Sequence, residues 1–226
     1  MAEADHTVQL SNGRCVRVLE DKASSWEGGS VWPPALLLAQ HLDAGVVARP
    51  TDGLALDLPR CRVLELGAGC GTVGLVASCL GAAAVVLTDL EVALPTLHAN
   101  VRLNGCEGSV TVCALDWRDA SYPAFADGGG PLAGAAPFGL VIASECIYDE
   151  DMARPLVRTM HHASGDGTVC LLAGIIGGAA LSAFRREAAR YFEEHRALPP
   201  LRAGDDALPA SRGVHVLCGK REIGGA

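Results

Sequence analysis

The residues best suited to hold a small polar ligand are two carboxylates and a group of closely spaced glycines. Glu65, Gly67, Gly69 and Gly71 occupy every second position, and Asp89 ends the next apolar run of the chain. Glycine lets the backbone approach a ligand closely. A carboxylate such as Asp89 can accept hydrogen bonds from both hydroxyls of a ribose. This stretch therefore predicts a site for a nucleotide-like ligand.

The elements that position these groups form a strand, a loop, a helix and a second strand. Apolar residues at 61–66 and 85–88 predict the strands, and residues 72–80 predict the helix, which Gly81 can end. Glu65 interrupts the first strand, and a buried carboxylate is costly without a partner, so we expect it to face a ligand. Ligands of open parallel sheets bind beyond the carboxyl ends of the strands, where helix amino termini offer N–H groups.

The same alternation continues along the chain and predicts one right-handed, doubly wound α/β sheet. We expect a single domain over 1–226, with an N-terminal hairpin, helix and connection at 1–59 and the core at 60–226. The hairpin is expected at 7–20 and its helix at 35–42. Beyond the central unit we expect strands at 109–115, 138–143, 168–172 and 214–218, helices at 91–104, 149–163 and 180–195, and a loop at 118–137.

Composition narrows the class of partner. The formal net charge of −8 offers no basic field for phosphates, so we expect no nucleic acid and regard a cationic peptide or protein as a better fit. Nothing in the sequence specifies an oligomer, so a monomer is expected.

Cysteines and apolar stretches bear on the compartment. The nine cysteines are scattered without a Cys-x-x-Cys pair, which argues against both a disulfide framework and a zinc site. The first 13 residues do not resemble a signal peptide. Leu66 to Thr88 and Gly167 to Phe184 are uncharged, but glycine clusters interrupt both, so we expect no membrane insertion. Together these features predict a reducing, cytoplasmic location.

Two frames of the glycine loop imply different ligands. Gly69, Gly71 and Gly74 match the spacing of a dinucleotide-binding loop. That motif should start at the end of the strand, however, and a motif that starts there, at Gly67, has Thr72 in place of its third glycine. The frame that starts at Glu65 suits S-adenosylmethionine better. This ligand has no pyrophosphate and carries a sulfonium cation, which tolerates a nearby carboxylate. A nicotinamide or flavin nucleotide is the alternative.

Several segments together resemble class I, seven-β-strand methyltransferases, and within them the lysine methyltransferases called family 16. The similarity runs from about Val31 to His162 and rests on VWPPALLLAQHL, VLELGAGCGTVGL, LTDLEVALPTLHANVRLN, ALDW and ASECIYD. It implies a Rossmann-like, mostly parallel seven-stranded sheet, S-adenosylmethionine as cofactor and a lysine-bearing protein as substrate.

The resemblance also implies roles for individual residues. The cofactor site is expected to include Trp32, Glu65, Gly67, Gly69, Asp89 and Trp117. Glu145 and Tyr148 match the Asp/Glu-x-x-Tyr/Phe signature beside the methyl acceptor and are the candidate catalytic residues; no metal site is implied. Structural roles are the alternative: Trp32 as a core anchor, Trp117 as a packing residue and Glu145 as a helix cap.

The acceptor is less well determined than the cofactor. The segment AGIIGGAALSAF lacks the polar residues common in the family, and the family's sixth strand is not recognisable. Both regions usually shape the acceptor pocket. An arginine side chain, a small molecule, or an inactive module that binds the cofactor and a protein partner are therefore the alternatives to a protein lysine.

Overall fold

The computed structural model describes residues 4–23, 26–45, 56–118, 132, 135–175, 177–198 and 212–222. Its strands are β1 His6–Gln9, β2 Cys15–Val18, β3 Arg62–Leu66, β4 Ala84–Asp89, β5 Val110–Ala114, β6 Leu140–Ser144, β7 Val169–Ile175, β8 Phe192–Ala197 and β9 Arg212–Lys220. Its helices are α1 Pro33–Asp43, α2 Thr72–Cys79, α3 Leu94–Leu103, α4 Ala153–Ala163 and α5 Gly178–Tyr191. Most of the loop expected at 118–137 lies outside the described residues.

Seven strands form one sheet in the order β5-β4-β3-β6-β7-β9-β8, and β1 and β2 form a separate antiparallel hairpin. Strands β5, β4, β3, β6 and β7 are parallel, whereas β9 runs antiparallel to both of its neighbours. The fold class predicted from the sequence, including the hairpin and the first helix, is confirmed.

The sheet is covered on both faces, which explains its nearly continuous apolar strands. One core cluster joins α1, α2 and α3 to the sheet, and the other joins α4 and α5 to the opposite face. In β3, Val63, Leu64 and Leu66 are fully buried, so successive residues of one strand enter the two clusters alternately.

The prediction for the C-terminal part was wrong in one respect. Helix α5 ends at Tyr191, and the next residues form β8, the sixth strand that was not recognised in the sequence. Phe192 is buried, whereas Glu193 and Glu194 are exposed. Because β8 lies at the sheet edge and pairs with β9 alone, it can carry charged side chains that look like the polar face of a helix.

Asn100, on α3, and Asn104, which directly follows that helix, attach the hairpin to the sheet domain. The side chain of Asn100 accepts from the N–H of Leu19 at 2.8 Å and donates to the carbonyls of Leu19 and Cys70, each at 2.9 Å. Asn104 makes the same two-way pair with the backbone of Arg17. The fully buried Asn100 thus bonds to the hairpin segment and to the glycine loop at once.

None of the helices in the described part of the chain combines the length and the apolar character that crossing a membrane requires.

Candidate functional site

The loops that follow β3, β4, β5 and β6 meet at the carboxyl edge of the sheet around a cavity of about 590 Å³. This volume is typical of a site for a small molecule or cofactor. Of the residues predicted from the sequence, the cavity is lined by Trp32, Gly67, Gly69, Asp89, Trp117, Glu145 and Tyr148. Glu65 is not part of the lining.

The glycine loop has a shape that only glycine adopts without strain. Gly67, Gly69 and Gly71 have φ angles of 64°, 57° and 79°, in the left-handed region. A Cβ on Gly67 would lie 2.7 Å from both the Trp117 ring and the Cys146 sulfur. A Cβ on Gly69 would lie 2.9 Å from the carbonyl oxygen of Gly28. The alternate glycines are therefore required by backbone conformation and by close packing together.

Asp89 holds this loop and also faces the cavity. One carboxylate oxygen accepts the Gly69 N–H at 2.8 Å, and the other accepts the Leu90 N–H at 2.7 Å. Burial raises the pKa of Asp89, whereas these two N–H donors lower it. Each oxygen keeps a second lone pair, so the carboxylate can accept two further bonds from ligand hydroxyls.

Glu65 lies behind the loop rather than on the cavity wall. Its carboxyl is buried, with one oxygen accepting the Gly74 N–H at 2.7 Å and the other, Oε1, without a hydrogen-bond partner. Burial raises the pKa of Glu65 to about 8; the nearby Asp89 also raises it, whereas the bond from the Gly74 N–H lowers it. The raised pKa favours the protonated form of this side chain, which holds the first turn of α2 under the glycine loop.

The two tryptophans occupy different positions at the cavity. Trp32 is 44% exposed, and its indole Nε1 donates to the Glu27 carbonyl at 2.9 Å, so it is not a buried core anchor. Trp117 packs its six-membered ring against Gly67, and its buried Nε1 finds no hydrogen-bond partner among the residues that the structure describes.

Glu145 and Tyr148 line the same cavity from the end of β6. Glu145 is the one non-glycine residue with a positive φ, 54°, among the described residues, and its N–H donates to the Ala173 carbonyl at 2.8 Å. Such a backbone conformation is unfavourable for a side-chain-bearing residue and is concentrated at functional sites. Helix α4 begins only at Ala153, so Glu145 does not cap it as the structural alternative required.

The sequence reasoning missed part of the lining. The structure adds Trp26, Glu27, Gly28, Asp116, Arg118, Ser144, Cys146 and Met152, among others. Two of these had a detectable signal, because Gly28 precedes the predicted Trp32 and Asp116 adjoins Trp117. Arg118 binds Asp116 through Nε at 2.9 Å and Nη2 at 2.8 Å, and these bonds lower the pKa of Asp116.

The residues present fit S-adenosylmethionine. Asp89 offers acceptors for ribose hydroxyls, and the glycine loop admits close approach of a ligand. Among the described lining residues, carboxylates outnumber the single guanidinium, and that guanidinium is paired with Asp116. An environment of this sign favours a ligand with a sulfonium and an ammonium group.

Comparison with solved structures agrees with this assignment of fold. The T. thermophilus 16S rRNA N2 G1207 methyltransferase, solved in complex with AdoMet and guanosine, superposes with a TM-score of 0.59 over 95% of this chain and 50% of that chain, at 18% identity. The fold and the site define a class I, S-adenosylmethionine-dependent methyltransferase.

Sequence comparison identifies the family. Residues 11–191 match the model of a family described as lysine methyltransferase, and the chain belongs to that family. The chain is 35% identical to protein N-lysine methyltransferase METTL21A of Danio rerio over 72% of this chain and 67% of that protein. It is 32% identical to EEF1A lysine methyltransferase 3 of Mus musculus over 62% of this chain and 53% of that protein.

The glycine loop provides a direct test of the cofactor site. Gly67→Ala places a Cβ at positive φ and against Trp117 and Cys146, so we expect affinity for S-adenosylhomocysteine to fall by about tenfold or more, because two sources of strain act together. Calorimetric titration measures this. Gly108→Ala is the matched control, since a Cβ there meets nothing within 4 Å; equal affinity of the two variants would contradict the prediction.

The buried Glu65 carboxyl predicts a pH dependence of stability. With its pKa raised from 4.5 to about 8, the folded state holds a proton that the unfolded state has lost. Stability from this group is therefore complete at low pH and declines as pH rises through this window. Relative to Glu65→Gln, which keeps an oxygen for the Gly74 N–H, the wild-type free energy of unfolding should fall by roughly 5 kcal/mol across it. Urea unfolding at several pH values measures this difference, and a constant difference would show that Glu65 is ionised in the fold.

Proposed function

We propose that this chain transfers a methyl group from S-adenosylmethionine to a lysine side chain of a protein substrate. Membership of the family and its relatives, which are N-lysine and EEF1A lysine methyltransferases, support lysine as the acceptor. The observation that carries the proposal is that one cavity is lined both by Gly67, Gly69 and Asp89 and by Glu145 and Tyr148. A cofactor and an acceptor can therefore meet inside it.

The chemistry requires a neutral amine aligned with the methyl donor. When bound, S-adenosylmethionine supplies an electrophilic methyl group on a sulfonium sulfur. A free lysine, with a pKa of about 10.4, is deprotonated in only about one molecule in 10³ at pH 7. The protein must therefore orient the lysine, exclude water and promote loss of its proton.

Glu145 and Tyr148 provide these functions in the proposal. The carboxylate of Glu145 accepts a hydrogen bond from the incoming ammonium, directs the nitrogen into the cavity and takes up the proton that the nitrogen must lose before its lone pair can attack. Tyr148, which is 64% exposed at the cavity rim, packs along the alkyl stem of the lysine. Trp117 and Trp32 restrict water around the donor, with Trp32 and the glycine loop holding the cofactor side.

The proposal extends to the domain organisation, the oligomeric state and the compartment of the protein. The chain acts as a single methyltransferase domain over 1–226, as a monomer and without nucleic acid. All nine cysteines are free thiols, which supports a reducing, cytoplasmic compartment. Glu65 contributes to cofactor binding through the loop that it supports.

Transfer to lysine can be measured with cofactor carrying a labelled methyl group. Incubation of the protein with this cofactor and a cell lysate is expected to label a protein band, with the label recovered as methyl-lysine after hydrolysis. Label recovered as methyl-arginine, or in the small-molecule fraction, would show that the acceptor is not a protein lysine. Absence of any label would favour an inactive module that binds the cofactor.

Substitutions of Glu145 and Tyr148, which lie beside the proposed methyl acceptor, are expected to affect methyl transfer rather than cofactor binding. Glu145→Gln removes the charge that attracts the ammonium, and Tyr148→Phe removes a hydroxyl from the rim; we expect transfer to fall about tenfold or more in Glu145→Gln and less in Tyr148→Phe. Affinity for S-adenosylhomocysteine should stay within about twofold, because neither change touches the glycine loop. Glu107→Gln, on an exposed connection, is the control; unchanged transfer in both variants would remove these residues from the mechanism.

A further inference from the structure

Exposed aromatic surface is concentrated at the mouth of the cavity. Among the described residues, the large hydrophobic side chains that are exposed are Trp32, Val92 and Tyr148, and two of these line the cavity. Tyr148 is the most exposed of the three, at 64%. Met152 also reaches the lining from the same segment. An apolar lip of this kind marks a surface that another molecule covers.

Carboxylates border this lip on the acceptor side. Asp149, Glu150 and Asp151 directly follow Tyr148 and are exposed. Asp149 fixes the turn, because its Oδ1 accepts the N–H groups of Asp151 at 2.9 Å and Met152 at 3.1 Å. The ion pairs between described residues do not use Glu150 or Asp151. The charges of Glu150 and Asp151 are therefore exposed to solvent on a turn that Asp149 holds in place.

The nearby cations do not offset these charges. Arg118 is engaged by both oxygens of Asp116. Arg154, the second residue of α4, is exposed and is a single charge beside three carboxylates. Glu27 and Glu145 add negative charge to the cavity lining itself. The mouth is thus apolar at its lip and negative around it, in a chain whose net charge is −8.

We propose that this lip, formed by Tyr148, Met152 and the carboxylates at 149–151, docks a protein segment that carries Lys or Arg residues beside the target lysine. The inference rests on the proposed function and narrows its substrate to a cationic segment. The alkyl stems of such residues pack on the aromatic lip while their charges meet the carboxylates. The same field accelerates the approach of a cationic segment and disfavours an acidic one.

Binding of designed peptides tests this without methyl transfer. Three labelled peptides of equal length carry one central lysine flanked by Arg, Gln or Glu, and their affinities are measured by fluorescence anisotropy in the presence of S-adenosylhomocysteine. The Arg-flanked peptide is expected to bind about tenfold more tightly than the Gln-flanked one, and the Glu-flanked peptide to bind most weakly. The preference should shrink as salt is raised, because exposed charges are screened.

A matched pair of variants locates the effect. Glu150→Gln with Asp151→Asn should lower affinity for the Arg-flanked peptide by about threefold to tenfold, since two exposed pairs are lost. Glu107→Gln with Asp166→Asn removes the same net charge from exposed connections that precede β5 and β7, at the opposite edge of the sheet. It should leave the affinity within about twofold.

Equal binding of the three peptides, or equal effects of the two double variants, overturns the inference. Loss of the proposed function is a separate result: it requires that no lysine is labelled from the lysate, whatever the peptides do. Lysine labelling together with equal peptide binding would therefore reject the docking surface and keep the enzyme assignment.

Discussion

The hydrogen bond from the Gly69 N–H to the Asp89 carboxylate joins the loop after β3 to the tip of β4, and the rest of the site depends on it. Parallel pairing places Leu66 beside Thr88, so the two strands end at the same edge and Asp89 lies one residue beyond. The second oxygen is held by the Leu90 N–H. One carboxylate therefore sets the path of the loop and presents acceptors to a ligand, without any longer connection between the two strands.

Two buried carboxyl groups near this loop lie in different surroundings, which act differently on their pKa values. Glu65 is enclosed by the sheet and α2, receives one N–H, and has a pKa of about 8. Asp89 lines the cavity and receives two N–H bonds, which oppose the effect of its burial. The proton that the raised pKa of Glu65 favours reduces the repulsion between the two carboxyl groups. Of the two, Asp89 is the one that lines the cavity.

Much of the fold and of the cofactor side followed from local sequence patterns. The glycine spacing, the carboxylate at Asp89 and the strand-helix alternation are short-range signals with direct backbone causes. The direction of Glu65 was not predictable, because a strand buried on both faces has no alternation that distinguishes them. Strand β8 was missed because a polar edge strand and a helix surface share their composition. Trp26 reaches the cavity through tertiary packing over the loop, which leaves no periodic pattern in the sequence.

The hydrogen bonds of Asn100 hold the glycine loop, on one side of the cavity, in place. Because one buried side chain connects the hairpin segment at Leu19 to the loop at Cys70, those parts form a single rigid body with α3. A ligand cannot displace them without breaking buried hydrogen bonds. At the mouth of the cavity, by contrast, the side chain of Tyr148 is 64% exposed. It can change its rotamer when a ligand arrives, while the loop that Asn100 holds keeps its shape.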